Sequence, residues 1–154
     1  MPRVDITWLV ALPTLDRRMS DKAPETKPER VLVVEDNEHA AYLLRTLLER
    51  AGYSVVVSPD GRDALEKLAS MEPVDLVMLD LMLPYVSGYQ VLIEARQNPK
   101  WQRVPIVVVT ARTLEMDAVR ALETGANDFI RKPFSPEELL ARVRRAIELR
   151  RCAA

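Results

Sequence analysis

An open, doubly wound α/β sheet of five parallel strands, with helices on both faces, is the architecture that these 154 residues predict. Three observations carry it. Short β-branched runs alternate five times with segments of helical period. The runs Val31–Val34 and Val104–Val109 are continuously apolar and Val74–Leu79 is apolar but for Asp75, the pattern of strands covered on both faces. Glycines or a proline-containing cap mark the ends of several helical segments. The length suits one domain of roughly 100–200 residues and can bury a sizeable core.

The elements follow in order. Val31-Leu32-Val33-Val34 is the first strand and ends in Glu35-Asp36. Residues Asn37 to Ala51 put Leu43, Leu44, Leu47, Leu48 and Ala51 on one helical face, stopped by Gly52. Tyr53–Val57 is the second strand, and Arg62–Met71 a helix with Ala64, Leu65 and Leu68 inward. Val74–Leu79 is the third strand, Gly88–Gln97 a helix, and Val104–Val109 a fourth strand of almost pure Val and Ile. Leu114–Thr124 is helical and stopped by Gly125, and Asp128–Arg131 is a short fifth strand. Ser135-Pro136-Glu137-Glu138 then opens the last helix, with Ser at the N-cap, Pro at N1 and Glu at N3. The Ser oxygen can accept a first-turn N–H, and the Glu can reach back to the N–H of the cap residue. Leu139, Leu140, Val143, Ala146 and Ile147 form the apolar stripe of this helix, and arginines close it in accord with the macrodipole.

The first 28 residues differ: they hold four prolines and no sustained periodicity. They read as a leader, with Asp21–Pro28 a polar linker. The apolar run Ile6–Leu12 lacks the flanks of a signal peptide; a docking segment built on Trp8 is the sharper reading. The domain itself covers 29–151, followed by a tail at 152–154. So few residues after the last helix leave no room for an output domain, which predicts a stand-alone module.

Composition excludes several chemistries. Twenty-two Lys and Arg against 23 Asp and Glu make a strongly basic nucleic-acid binder unfavourable, so no direct nucleic-acid partner is expected. One Cys and one His exclude a disulfide framework and a Cys/His zinc site, and fit a reducing compartment such as the cytoplasm. The four glycines lie too far apart for a phosphate-cradling loop. No apolar run approaches the roughly 20 residues that span a bilayer, so no membrane partner is expected.

In an open parallel sheet, ligands bind beyond the carboxyl ends of the strands. There stand Glu35-Asp36 after the first strand, Asp80 after the third, Thr110-Ala111 after the fourth and Lys132-Pro133 after the fifth. Three clustered acids repel one another, and a hard divalent cation relieves them; Mg²⁺ suits carboxylates while keeping sites for water and phosphate oxygens. An Asp can then accept a phosphoryl group covalently, with Lys132 and the Thr110 hydroxyl facing its oxygens.

With these residues in view, the chain resembles the receiver domain of two-component response regulators over Glu29 to Arg151. The matching motifs are Val31-Leu32-Val33-Val34-Glu35-Asp36, Asp80-Leu81-Met82-Leu83-Pro84-Tyr85-Val86-Ser87-Gly88, Val109-Thr110-Ala111 and Gly125-Ala126-Asn127-Asp128-Phe129-Ile130-Arg131-Lys132-Pro133-Phe134. The resemblance implies a flavodoxin-like three-layer sandwich with strand order 2-1-3-4-5. It implies that Asp80 is phosphorylated, that Glu35, Asp36, Asp80 and the backbone carbonyl of Met82 hold Mg²⁺, and that Lys132 pairs with the phosphoryl oxygens. It further implies Thr110 and Phe129 as switch residues, a cis Lys132-Pro133 bond, and a phosphohistidine donor on a sensor histidine kinase or histidine phosphotransfer protein. Phosphorylation would remodel the face made by the fourth helix, fifth strand and fifth helix, for a downstream protein target or a homodimer. Met82 and Arg112 stand where some members carry Asn and Glu, which implies a longer-lived phosphoryl group. Such a module is a phosphoacceptor with slow autodephosphorylation, not an enzyme in the usual sense.

Other readings stand beside these. Glu35-Asp36 can simply open a helix, Lys132 can be a solvated charge, and Thr110 and Phe129 can be ordinary strand residues. An aspartate-nucleophile phosphatase of the haloacid dehalogenase type is an alternative, but it requires an acid two residues after the nucleophile, where Met82 stands. A flavodoxin-like cofactor binder is another, and it lacks a Ser/Thr/Gly-rich loop after the first strand. His39 reads as a surface residue, Cys152 as a free thiol on a frayed end, and the arginines from 142 to 151 as a solvated helix end that can also dock an acidic partner.

Overall fold

The computed structural model describes residues 26–111 and 114–153. The expectations attached to Trp8, the leader up to residue 25 and Arg112 lie outside the described residues. Five strands, β1 (Arg30–Val34), β2 (Ser54–Ser58), β3 (Leu76–Leu79), β4 (Ile106–Thr110) and β5 (Asp128–Arg131), alternate with five helices. The helices are α1 (Glu38–Arg50), α2 (Gly61–Ser70), α3 (Gly88–Gln97), α4 (Glu115–Thr124) and α5 (Pro136–Ala153). The sheet order is β2-β1-β3-β4-β5 and every pairing is parallel, as expected.

Alternation along the buried strands divides the core into two layers. Val31, Val33, Leu76, Met78, Val107 and Val109 face α1 and α5, where they meet Leu44, Leu48, Leu139 and Val143. Leu32, Val34, Val77, Leu79 and Val108 face the other way, onto Ala64 and Leu68 of α2 and Val91, Leu92 and Ala95 of α3. The helices cap where the residues direct. Asn37, Asp60 and Ser87 each accept a first-turn N–H. Gly52 and Gly125 end α1 and α4 with φ of 97° and 123°, a conformation that only glycine adopts without penalty.

Several expectations need correction. Leu43 does not face the core: Ala41, Leu44 and Leu48 do, and Leu43 lies about 100° around the helix with 48% exposure. Val74 and Val104 are buried but precede their strands. Pro105 has no N–H for the ladder, so β4 begins at Ile106, and it continues one residue further than expected, through Thr110. Ser135 does cap α5 by accepting from the Glu138 N–H at 3.1 Å, but the Glu138 carboxylate pairs forward with Arg142 instead of reaching back. The last helix runs on to Ala153, so Cys152 sits exposed in a helical turn and not on a frayed tail.

Ser58, fully buried at the end of β2, is tied to α2 by its hydroxyl, which donates to Asp63 Oδ2 at 2.5 Å; Lys67 pairs with the same oxygen. Burial by itself would raise the Asp63 pKa, but the hydrogen bonds from Lys67 and Ser58 outweigh it and hold the carboxyl below its ordinary value. A depressed carboxyl pKa contributes stability above the unfolded-state pKa of about 3.9, and that stability is lost as the pH falls through the folded value. Asp63→Asn is therefore expected to cost about 1 kcal/mol at pH 7. Urea unfolding should show the gap between variant and wild type closing as the pH drops below about 4; a gap that stays constant would contradict this coupling.

Candidate functional site

The backbone places the acids before their side chains make any contact. Glu35 follows β1 and its N–H donates to the Ser58 carbonyl at 3.1 Å; Asp80 follows β3 and its N–H donates to the Val34 carbonyl at 3.0 Å. The ladder thus continues one residue past each strand. Thr110 closes β4 in register with Arg131, and its carbonyl accepts from the Lys132 N–H at 2.9 Å. Residues from four different strand ends therefore meet at one edge of the sheet, where the connection from β1 leads to β2 on one side and that from β3 leads to β4 on the other.

There the side chains converge. Lys132 Nζ lies 2.5 Å from Glu35 Oε2 and 3.2 Å from Asp80 Oδ2. Carboxylate oxygens of Glu35, Asp36 and Asp80 all lie within 4.8 Å of one another. Glu35 is 3% exposed and Asp80 6%, whereas Asp36 is open to solvent. Backbone donors complete the set: Met82 N–H donates to Asp80 Oδ1 at 3.0 Å, and Asn37 N–H donates to Glu35 Oε1 at 3.2 Å.

Three carboxylates face one ammonium, and the electrostatics register it. Burial pushes the Glu35 carboxyl above its ordinary pKa and the charge of Asp80 adds to this, while the bond from Lys132 opposes it. Burial works against the charge of Lys132, but the hydrogen bond to Glu35 and the charges of both carboxylates overcome it and raise the ammonium pKa. Lys132 is thus held firmly charged, and the cluster retains an excess of negative charge on hard oxygen atoms. That donor set fits a divalent cation of the Mg²⁺ kind, with exposed Asp36 at the side open to water.

The remaining expected residues take other positions. Thr110 is fully buried at the same edge. Phe129, half-buried, packs against the core layer that contains Val108. Met82 contributes its amide to Asp80 while its side chain is 55% exposed. The Lys132–Pro133 bond is cis, as expected.

Two glycines hold the loop after Asp80, and Gly61 was not among the expected site residues. A Cβ on Gly88 would lie 2.1 Å from the Asp80 carbonyl oxygen, and one on Gly61 would lie 2.1 Å from the carbonyl oxygen of Val86 in the same loop. Both obstacles are backbone, so neither can yield cheaply. The signal was present at Gly61: a glycine just inside a helix, directly after the Asp60 cap, is a poor helix former in a place where Pro or Glu would serve.

The comparisons with known proteins agree with this architecture. Residues 31–144 match the response regulator receiver domain family. The chain is 42% identical over 126 residues to the alkaline phosphatase synthesis transcriptional regulatory protein PhoP of Bacillus subtilis, covering 82% of this chain and 51% of that protein. It is 44% identical over 120 residues to the DNA-binding response regulator MtrA of Mycobacterium tuberculosis, covering 78% and 51%. A receiver domain of a sensor histidine kinase from Pseudomonas aeruginosa PAO1, solved with a magnesium ion coordinated in its active-site cleft, superposes with a TM-score of 0.73 at 32% identity over 79% of this chain and 98% of that one. A doubly wound α/β domain with clustered carboxylates and a lysine at its strand ends is the class that fold and site define. The chain belongs to the response regulator receiver domain family of two-component systems. That membership sets aside the phosphatase and cofactor-binder alternatives.

The chain spans about half the length of the curated relatives it matches, with 51% of PhoP and of MtrA covered. MtrA is a DNA-binding regulator. The expectation of a module without any nucleic-acid partner therefore finds no support. Among the described residues no helix is long and apolar enough to cross a membrane.

Gly88→Ala and Gly61→Ala are each expected to destabilise the domain by about 1–3 kcal/mol, the cost of forcing atoms into a packed interior. Thermal or urea unfolding followed by circular dichroism measures it; wild-type stability in both variants would mean that the loop is not held as described.

Proposed function

We propose that the domain is the phosphoacceptor of a two-component phosphorelay and that Asp80 takes the phosphoryl group from a phosphohistidine on a sensor histidine kinase or histidine phosphotransfer protein. The observation that carries this reading is the meeting of Asp80 with Lys132 at 3.2 Å inside a cluster of three carboxylates. An Asp80 carboxylate oxygen attacks phosphorus; the P–N bond to the donor imidazole breaks, and the ring nitrogen keeps the electron pair. Lys132, already charged and in reach, moves from its carboxylate partners to the incoming phosphoryl oxygens. Glu35, Asp36, Asp80 and the Met82 carbonyl are the residues to hold Mg²⁺, which when bound offsets the charge between carboxylate and phosphoryl group. Met82 N–H and Lys132 hold the two Asp80 oxygens in place before reaction, so little reorganisation precedes attack.

The output follows from the same pocket. Thr110 supplies a hydroxyl for the phosphoryl oxygens and Phe129, half-buried on the neighbouring strand, takes a more inward position as Thr110 moves. The surface of α4, β5 and α5 changes with it, toward a downstream protein or a second copy of the chain. Leu114, Met116, Val119 and Leu122, all exposed at or in α4, give that face an apolar character suited to docking. Slow loss of the phosphoryl group to water resets the module, and the cytoplasm is where its kinase-borne donor would reach it.

Incubation with acetyl phosphate and Mg²⁺, followed by peptide mapping by mass spectrometry, should place one phosphoryl group on the peptide that contains Asp80. Asp80→Asn should abolish the gain. A gain that survives this substitution unchanged would overturn the assignment.

A further inference from the structure

At the opposite end of the sheet, the residues before β4 and β5 and the C-terminal half of α5 enclose a groove of about 810 Å³. Arg96, Arg103, Arg142, Arg145 and Arg150 line it, against a single acid, Asp128. That acid is already neutralised: Arg142 Nη1 lies 2.9 Å from both of its oxygens. Arg150 is also committed, donating to the Val74 carbonyl at 2.9 Å beside Asp75 at 3.5 Å.

Among the described residues the other three arginines have no counter-charge. Arg96 is half-buried, and its guanidinium donates to the Val104 carbonyl at 2.8 Å and to the Gly125 carbonyl and Asn127 Oδ1 at 2.9 Å, all neutral acceptors. Among the described residues no carboxylate pairs with it, and its burial lowers its pKa, as expected for a cation drawn from water without an ion partner. Arg103 and Arg145 are exposed and make no ion pair among the described residues. Three cations without a carboxylate partner among the described residues are thus concentrated at one end of a chain whose formal net charge is −1. Between them lie Pro105, Ala146 and Leu149, the last 59% exposed despite being apolar.

We propose that this groove binds an acidic, extended peptide segment of a partner protein. Carboxylates of the segment would lie on Arg103 and Arg145, with the buried Arg96 charge behind them, and an aliphatic side chain would cover Leu149. The chemistry favours a peptide over nucleic acid: the site is concave, its apolar lining is aliphatic, and no aromatic side chain lines it for base stacking. The site is distinct from the acidic cluster and does not depend on the phosphotransfer reading.

Fluorescence anisotropy with a labelled peptide of alternating Glu and Leu, added to the whole chain, tests it. Saturable binding is expected that weakens as salt rises. The double variant Arg103→Glu, Arg145→Glu should bind about tenfold or more weakly and should gain affinity for the matching Lys-Leu peptide, while unfolding at the wild-type temperature because neither side chain supports the fold. Absence of binding at low salt, or equal affinity in the double variant, would overturn the proposal. So would saturable binding of duplex DNA or of inorganic phosphate tighter than that of the peptide at the same ionic strength, which would assign the groove to nucleic acid or to a free anion instead.

Discussion

The ammonium of Lys132, shared between Glu35 and Asp80, is the contact on which the functional edge of this domain depends. Two carboxylates almost without solvent, and a third at the surface, are held within 4.8 Å. Burying such charges without compensation costs several kcal/mol per ion. A single cation lowers that cost without cancelling it. What remains is a standing excess of negative charge, the condition under which a divalent cation, and behind it a phosphoryl group, gains from entering. The same imbalance makes the edge a poor contributor to stability, so the fold must be stabilised elsewhere.

That stability comes from the strands beneath. β3 and β4 are buried along their whole length, and so is β1 after its first residue. Their apolar side chains alternate between the two helical layers, which fixes the register, since a slip of one residue would exchange the layers. Glu35 and Asp80 are each the first residue after the last buried apolar position of their strand. Their location is therefore set by how far the apolar run extends. Gly61 and Gly88 extend this control to the loop that follows Asp80, whose backbone packs too closely against them to admit a methyl group.

Most of this was legible in the residues, for identifiable reasons. Parallel strands covered on both faces read as short runs of Val, Ile, Leu and Met, and helices show their period and caps, so the alternation of elements and the strand-end acids could be placed. Contacts that join distant segments could not. Val74 and Val104 have the composition of strands, but they lie before β3 and β4, in the second case because Pro105 has no N–H for the ladder, and both are buried. Leu43 has the right residue type and the wrong angular position. The close approach of Gly61 to Val86, and the collection of neutral oxygens around Arg96, exist only once the chain has folded. The strand order likewise came from the family resemblance, because local periodicity carries no information about which strands are neighbours.

The central claim is that the converging carboxylates carry a charge deficit which one ammonium leaves open. Calorimetric titration of the folded protein with magnesium at neutral pH tests it most directly. One ion per chain is predicted, with affinity falling by at least the tenfold that loss of even an outer partner of a metal ligand produces in Asp36→Asn and in Asp80→Asn. No heat of binding in the wild type, or equal affinity in all three proteins, would contradict the account.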